Sequence, residues 1–120
     1  MKNDLKERTK KFSLLVISMV EQLPNTISGR VIANLLVKSG TSVGANYRAV
    51  CRARSDKEFI SKMNIVLEEA DEVYYGVELI QEKAWVNSEI LLPVLKEANE
   101  LTAIFVSSLK TMNRNQEFRI

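Results

Sequence analysis

The sequence predicts an all-α protein, an antiparallel up-and-down four-helix bundle that occupies residues 1–120 as a single domain. The chain has 120 residues, which suits one domain rather than two. It contains only four glycines and two prolines, whereas an all-β domain of this length would need more turn residues. Apolar residues recur at spacings of three and four, and no strand alternation competes with them.

The first helix is expected over residues 4–22. Asp4 is a suitable N-cap, and Pro24 ends the helix because it lacks an N–H and restricts the residues before it. Apolar residues at helical spacing define its inner face: Leu5, Phe12, Leu15, Met19 and Leu23.

The second helix is expected over residues 27–53, although Gly40 and Gly44 weaken its middle. We predict one continuous helix because a set of small and polar residues stays in phase across the glycines. The core face would consist of Val31, Leu35, Ser39, Ser42, Asn46, Ala49 and Ala53.

The third helix, over residues 55–83, has the clearest start. Ser55 and Glu58 have the spacing of a capping box, in which each side chain bonds the backbone N–H of the other. A seam of apolar residues then alternates between spacings of four and three: Phe59, Met63, Val66, Ala70, Val73, Val77 and Ile80.

The fourth helix is expected over residues 88–112, followed by a frayed tail over residues 113–120. Asn87 or Ser88 can cap it. Pro93 leaves two alternatives open, a helix that begins near Leu92 or an earlier start with a kink at the proline. Short loops between the four helices make each one the antiparallel neighbour of the next.

A second apolar set suggests contact with another copy of the chain. On helix 2 it lies beside the predicted core face, and on helix 3 it forms a row spaced by seven. The candidate interface residues are Leu36, Gly40, Val43, Gly44, Tyr47, Ile60, Leu67 and Tyr74. The alternative is that another helix of the same chain covers the helix 2 set.

The charges are distributed unevenly along the chain. Residues 1–60 hold eleven Lys and Arg against five Asp and Glu, while residues 61–120 hold six against ten. A wheel projection puts Arg30, Lys38, Arg48 and Arg52 on one side of helix 2, with Arg54 and Lys62 close by. Aligned cations of this kind suit phosphate contacts. The alternatives are a solvated charged face and pairing with the acidic helices of the bundle.

No catalytic site, metal or cofactor is predicted. The sequence has no histidine, which removes Ser–His and Cys–His pairs and the usual zinc and di-iron sites. Glu68 and Glu72 are better explained as a solvated or ion-paired face than as metal ligands, and Cys51 as a small packing residue. One cysteine, no signal-peptide pattern and no membrane-spanning run lead us to expect a non-enzymatic cytoplasmic protein.

The sequence resembles the 23S rRNA intervening-sequence protein family. The resemblance is densest in the run Gly40–Ala49, in Arg52–Ser55, at Glu58-Phe59 and Lys62, and in Glu68–Glu72. It implies an antiparallel four-helix bundle that assembles into a ring, commonly a pentamer. A similar accessory protein of diversity-generating retroelements implies nucleic-acid binding through a basic ring, with Arg48, Arg52, Arg54 and Lys62 as candidate contacts. Gly76 departs from the family, whose members usually have a bulky residue there.

Two functions are therefore expected to compete. The first is a non-catalytic homo-oligomer that binds RNA or DNA through helix 2. The second is a protein–protein adaptor whose charge polarity serves only ring assembly.

Overall fold

The computed structural model describes the backbone of residues 2–118 and the side chains of residues 4–115. Within that range the chain forms four helices: α1 (Lys2–Val20), α2 (Ile27–Cys51), α3 (Asp56–Lys83) and α4 (Ser88–Phe118). Each helix packs on its neighbours in the order α1–α2–α3–α4 and back to α1, and the backbones of the diagonal pairs stay more than 8 Å apart between Cα atoms. This cyclic order confirms the predicted all-α four-helix bundle. No helix within residues 2–118 has an apolar run of the length and hydropathy that crossing a membrane requires.

Side-chain caps begin three of the helices, each by accepting a backbone N–H bond of 3.1 Å. The acceptor is Thr26 Oγ1 at α2, Ser55 Oγ at α3 and Asn87 Oδ1 at α4. Ser55 supplies its half of the predicted capping box, but no hydrogen bond described in the structure joins the Ser55 N–H to the Glu58 side chain. Asn87 rather than Ser88 caps α4. Helix α1 begins at Lys2, so Asp4 lies in its first turn and is not its N-cap.

Helix α4 is longer than the sequence pattern indicates. It begins at Ser88 with Pro93 inside it, and it continues through Asn113 to Phe118. Residues 113–118 contain no proline or glycine, so nothing local interrupts the helical hydrogen bonds there. The remainder of the predicted tail, residues 119 and 120, lies outside the described residues.

The core face of α2 is rotated by about one residue, roughly 100°, from the predicted one. Leu36 and Val43 are fully buried, whereas Val31 is 59% exposed. The larger side chains remove more apolar area from water than the small and polar set predicted for the core. Of that set Ser39 is buried, and Leu35, Ser42, Asn46, Ala49 and Ala53 are half-buried.

Asn46 shows how a polar residue is accommodated beside the core. It is half-buried, and its Nδ2 donates a 2.9 Å hydrogen bond to the backbone oxygen of Ser42, one turn earlier. Its amide therefore has a partner within its own helix and needs none from α3.

Two glycines let neighbouring helices approach closely. A Cβ at Gly40 on α2 would lie only 2.8 Å from Cγ1 of Val16 on α1. At the same place Ser13 Oγ lies 2.8 Å from the Gly40 carbonyl oxygen and donates to it across the helix pair. On α3, the space beside Gly76 is filled by the side chain of Leu36. Helix α2 is thus fixed by close contact on both sides, which holds its outer face in a defined orientation.

Candidate nucleic-acid interface

The outer face of α2 carries the basic stripe, which we define as Arg30, Lys38, Arg48 and Arg52. All four side chains are exposed. Arg30, Lys38 and Arg48 lie within the unbroken 25-residue helix, and Arg52 is its C-cap. Because the predicted continuity of α2 across Gly40 and Gly44 is confirmed, these cations follow one line on a rigid element.

The side chains between the cations are of two kinds, small or polar residues and two exposed valines, Val31 and Val37. Asn34, Thr41 and Ala45 are exposed on the same side of α2. The hydroxyl of Thr41 donates to the backbone oxygen of Val37 at 2.7 Å, so it bonds within its own helix. The stripe therefore has only uncharged side chains between its charged groups and contains no aromatic side chain.

Two stripe residues have local contacts that leave their charge in place. Arg30 Nη1 donates to the side-chain oxygen of Asn25 at 2.9 Å, and that amide is neutral. Lys38 lies near Glu69 of α3. Burial and the nearby Glu72 raise the pKa of the Glu69 carboxyl, while a hydrogen bond from Ser39 and the charge of Lys38 oppose that rise.

The other basic residues lie at the α2–α3 corner. Among the described residues, no carboxylate forms a salt bridge with Arg48, Arg52 or Arg54. Arg52 and Arg54 line a shallow concavity of about 380 Å³ with Ala49 and Glu58. Lys62, one to two turns into α3, is half-buried and is the least accessible of the predicted contacts.

Acidic residues of the second half of the chain form salt bridges with a basic residue outside the stripe. Arg8 on α1 binds Glu97 on α4 through two hydrogen bonds of 2.7 and 2.8 Å, and it also reaches Glu100 at 3.0 Å. These carboxylates raise the pKa of the Arg8 guanidinium above its usual range. Pairing between the basic and acidic halves is thus present at the α1–α4 seam, whereas in the basic stripe only Lys38 lies close enough to an acidic residue, Glu69, to act on its charge.

The structure corrects most of the predicted oligomer interface. Leu36, Gly40, Val43 and Tyr47 are buried by helices of the same chain, and Gly44 faces Thr9 of α1. On α3, Ile60, Leu67 and Tyr74 are half-buried against the core. The alternative that the chain covers its own α2 face is therefore the one the structure shows, because Leu36, Val43 and Tyr47 are the apolar side chains that best fill the bundle.

Different apolar side chains are left exposed. On α2 they are Ile27, 79% exposed, Val31, 59% exposed, and Val37, 36% exposed, and on α3 it is Tyr75, 60% exposed. Leu14 and Leu15 on α1 and Leu92 on α4 are exposed as well. Helical periodicity could not identify them, because it places Val31 in the core. The rotation of α2 brings Val31 to the surface, and that rotation depends on the close contact with Gly76, which a single-helix pattern does not contain.

Cys51 is exposed, and it lies one helical turn after the buried Tyr47. Burial, and with it the neighbouring Cys51 thiol, raises the pKa of Tyr47 to about 12. The ring of Tyr47 stacks on Phe105 of α4 with centroids 6.3 Å apart. Both Tyr47 and Cys51 line a cleft of about 1000 Å³ at this end of the bundle. Within the described residues, no three acidic or thiol side chains are grouped so as to hold a metal ion.

Fold and surface together define a class of protein, an all-α four-helix bundle with a basic stripe on an exposed helix. The sequence pattern of the 23S rRNA-intervening sequence protein family matches residues 1–107, and the chain belongs to this family. It is also similar to a solved structure from Bacteroides thetaiotaomicron, described as a protein with unknown function from the S23 ribosomal protein family. That similarity has a TM-score of 0.79 at 30% identity and covers 88% of this chain and 97% of the other. No functionally curated protein matches the chain.

Proposed function

We propose that this chain is a non-catalytic cytoplasmic protein that binds the backbone of RNA or DNA through the basic stripe of α2, and that it does so as a homo-oligomer. The observation that carries the proposal is the state of the arginines at the α2–α3 corner. Arg48, Arg52 and Arg54 are exposed on or beside one rigid helix, and no described carboxylate forms a salt bridge with them. The family is named after intervening sequences of 23S rRNA, and the proposal rests on the surface itself rather than on that name.

Phosphate is the chemical group that suits this surface best. Guanidinium groups form two parallel hydrogen bonds with phosphate oxygens, and several aligned cations release condensed counterions together. Arg48 also lies in the last turn of α2, where a cation is favoured by the helix dipole. The helix dipole accounts for Arg48 alone. It does not explain why Arg48, Arg52 and Arg54 all lie at the α2–α3 corner.

Oligomerisation would multiply the stripe and so strengthen weak contacts. The exposed apolar residues Ile27, Val31 and Tyr75 support it, since large apolar side chains left exposed on α2 and α3 favour association. We propose a ring, with a pentamer as the expected size, in which these side chains replace the interface predicted from the sequence. Light scattering tests the assembly, and Val31→Ser with Tyr75→Ser should shift it towards monomer if these residues form the contact.

The same apolar surface would also serve a protein–protein adaptor, which is the second candidate function. In an adaptor the stripe would pair with acidic residues of a neighbouring subunit or partner, as Arg8 pairs with Glu97 inside this chain. The two candidate functions therefore differ in what the stripe arginines contact, which is phosphate in the first and protein carboxylates in the second.

The test removes two charges from the stripe and two from elsewhere. Arg48→Gln with Arg52→Gln is compared with a control that has the same charge loss on α1, Lys10→Gln with Lys11→Gln, both of which are exposed. Fluorescence anisotropy with mixed-sequence RNA and DNA is recorded at several salt concentrations. The stripe variant should bind more weakly to every sequence, and its salt slope should fall by about two, because each arginine that is replaced no longer neutralises a phosphate.

Three outcomes separate the candidates. Weaker binding in the stripe variant alone, with the oligomer intact, supports the proposal. Dissociation of the oligomer in that variant shows that the arginines belong to a subunit contact and favours the adaptor. Absence of any binding by the wild type at low salt refutes the nucleic-acid function.

A further inference from the structure

The spacing of the cations along α2 carries information about the shape of the ligand. With a rise of about 1.5 Å per residue, Arg30 and Lys38 are about 12 Å apart along the helix, and Lys38 and Arg48 are about 15 Å apart. Arg52 follows Arg48 by one helical turn. The stripe thus presents three separate groups of positive charge, with the uncharged residues Val31, Asn34 and Val37 exposed in the first gap and Thr41 and Ala45 in the second.

A double helix presents its phosphates in a comparable pattern. One turn of a duplex is about 34–36 Å long, and each of its two backbones crosses a line parallel to the axis once per turn. Such a line therefore meets a row of phosphates about every 17 Å on average, with an uncharged groove between the rows. The three cation groups of α2 extend over roughly one turn and have gaps of similar length. The long, flexible side chains of Arg and Lys can cover the remaining difference.

A single strand fits this surface less well. Proteins that hold single strands combine a basic groove with aromatic side chains on which the bases stack, and the described stripe has no aromatic residue. A flexible strand would also lose conformational freedom in order to follow a straight line of this length, whereas a duplex is already stiff over it.

We infer that the ligand of the basic stripe is a double-stranded nucleic acid, RNA or DNA, which lies along α2 and contacts it over about one helical turn. The inference rests on the proposed function and adds to it the form of the ligand and its orientation. Contacts at both ends of the stripe require one continuous duplex. The contribution of Arg30 should therefore depend on duplex length, because Arg30 lies about 27 Å from Arg48.

The experiment uses the full-length protein and three fluorescently labelled probes of mixed sequence. They are a duplex of about 14 bp, an unstructured single strand of the same length, and a hairpin whose stem of about 6 bp spans only about 20 Å. Both RNA and DNA versions are titrated with wild type, Arg30→Gln and the control Lys10→Gln. Arg30 and Lys10 are both exposed, so neither change should disturb the fold.

The wild type should bind the 14-bp duplex about tenfold more tightly than the single strand, because it gains several phosphate contacts without ordering a flexible chain. Arg30→Gln should lower the salt slope on the 14-bp duplex by about one and leave binding to the hairpin unchanged. Lys10→Gln should have the same effect on binding to the hairpin as on binding to the 14-bp duplex.

Equal affinity for single strand and duplex would overturn the inference, as would an equal effect of Arg30→Gln on the hairpin and the 14-bp duplex. Either result would leave the proposed nucleic-acid function standing. Failure of all three probes to bind at low salt would instead refute the proposed function, and the inference with it.

Discussion

The side chain of Leu36 on α2 occupies the space beside Gly76 of α3 in which a Cβ would stand. A Cβ at position 76 would overlap Leu36 Cδ2 and lie only 3.1 Å from its Cγ. Both residues are buried, with Leu36 0% exposed. A large residue of one helix and a glycine of the next thus share one volume, and this pair fixes the rotation of α2 within the bundle.

We predict that Gly76→Ala lowers the free energy of unfolding by about 1 kcal/mol, because overpacking at a buried site costs more than alanine gains in helix propensity. Chemical denaturation measures the change. In a Leu36→Ala background the cost should disappear, because the volume that the new methyl group needs has been vacated. An equal cost in both backgrounds would contradict the shared-volume account.

Gly44 offers the matched control. The nearest atom to a Cβ there would be Thr9 Oγ1 at 3.4 Å, which is an ordinary contact distance. Gly44→Ala should therefore raise the free energy of unfolding, by up to about 1 kcal/mol, through helix propensity alone. A decrease in stability in this variant would show that α1 and α2 tolerate no added atom anywhere along their contact.

The helices were predictable from sequence because their signals are local. The cap at Ser55, the seam from Phe59 to Ile80 and the scarcity of turn residues concern neighbouring positions only. Helix ends were less predictable. The extension of α4 beyond residue 112 depends on the absence of a strong stop signal, and absence of a signal is weak information.

The orientation of α2 could not be predicted in the same way. Two apolar faces about 100° apart competed, and the sequence offers no direct measure of how closely a neighbouring helix approaches. Gly40 and Gly76 permit that approach, and they decide that Leu36 and Tyr47 are buried while Val31 is exposed. The basic stripe is exposed as predicted, because charged residues avoid the core whichever apolar face is buried.

The C-cap of α3 provides a second stability test. Ala84 has a φ of 54°, in the left-handed region that favours glycine, and its N–H bonds the carbonyl of Gln81. Alanine in this conformation costs about 1 kcal/mol, so Ala84→Gly should raise the melting temperature by several degrees. Ala103→Gly, at an exposed position inside α4, should lower it by a similar amount. Changes of the same sign in both variants would contradict the argument.

The α1–α4 seam should be sensitive to salt. Arg8 binds Glu97 through both carboxylate oxygens, and the two side chains are 33% and 20% exposed. A double-mutant cycle with Arg8→Met and Glu97→Gln should give a coupling of about 1 kcal/mol at low salt. Added salt should reduce the coupling, because the pair is only partly shielded from solvent. A coupling near zero at low salt would show that the Arg8–Glu97 pair adds nothing to the stability of the α1–α4 seam.

Tyr47 should make the bundle sensitive to alkaline pH. Burial raises the pKa of its phenol to about 12 in the folded chain, whereas an unfolded tyrosine has the ordinary value of 10.0. Below pH 10 both states hold the proton, and the contribution to stability is fully present. Between pH 10 and 12 the unfolded state loses the proton while the folded state keeps it, so the free energy of unfolding falls as pH rises.

The test of this pH dependence is Tyr47→Phe, which retains the ring that stacks on Phe105 and removes the titrating group. Urea denaturation at about pH 8 and about pH 11 should show a larger decrease in stability for the wild type than for Tyr47→Phe, by up to about 1–2 kcal/mol. Tyr75→Phe is the control, because that ring is 60% exposed and its hydroxyl is accessible in both states. If Tyr47→Phe and the wild type lose the same stability over this range, the Tyr47 hydroxyl is not held in the protonated form by burial.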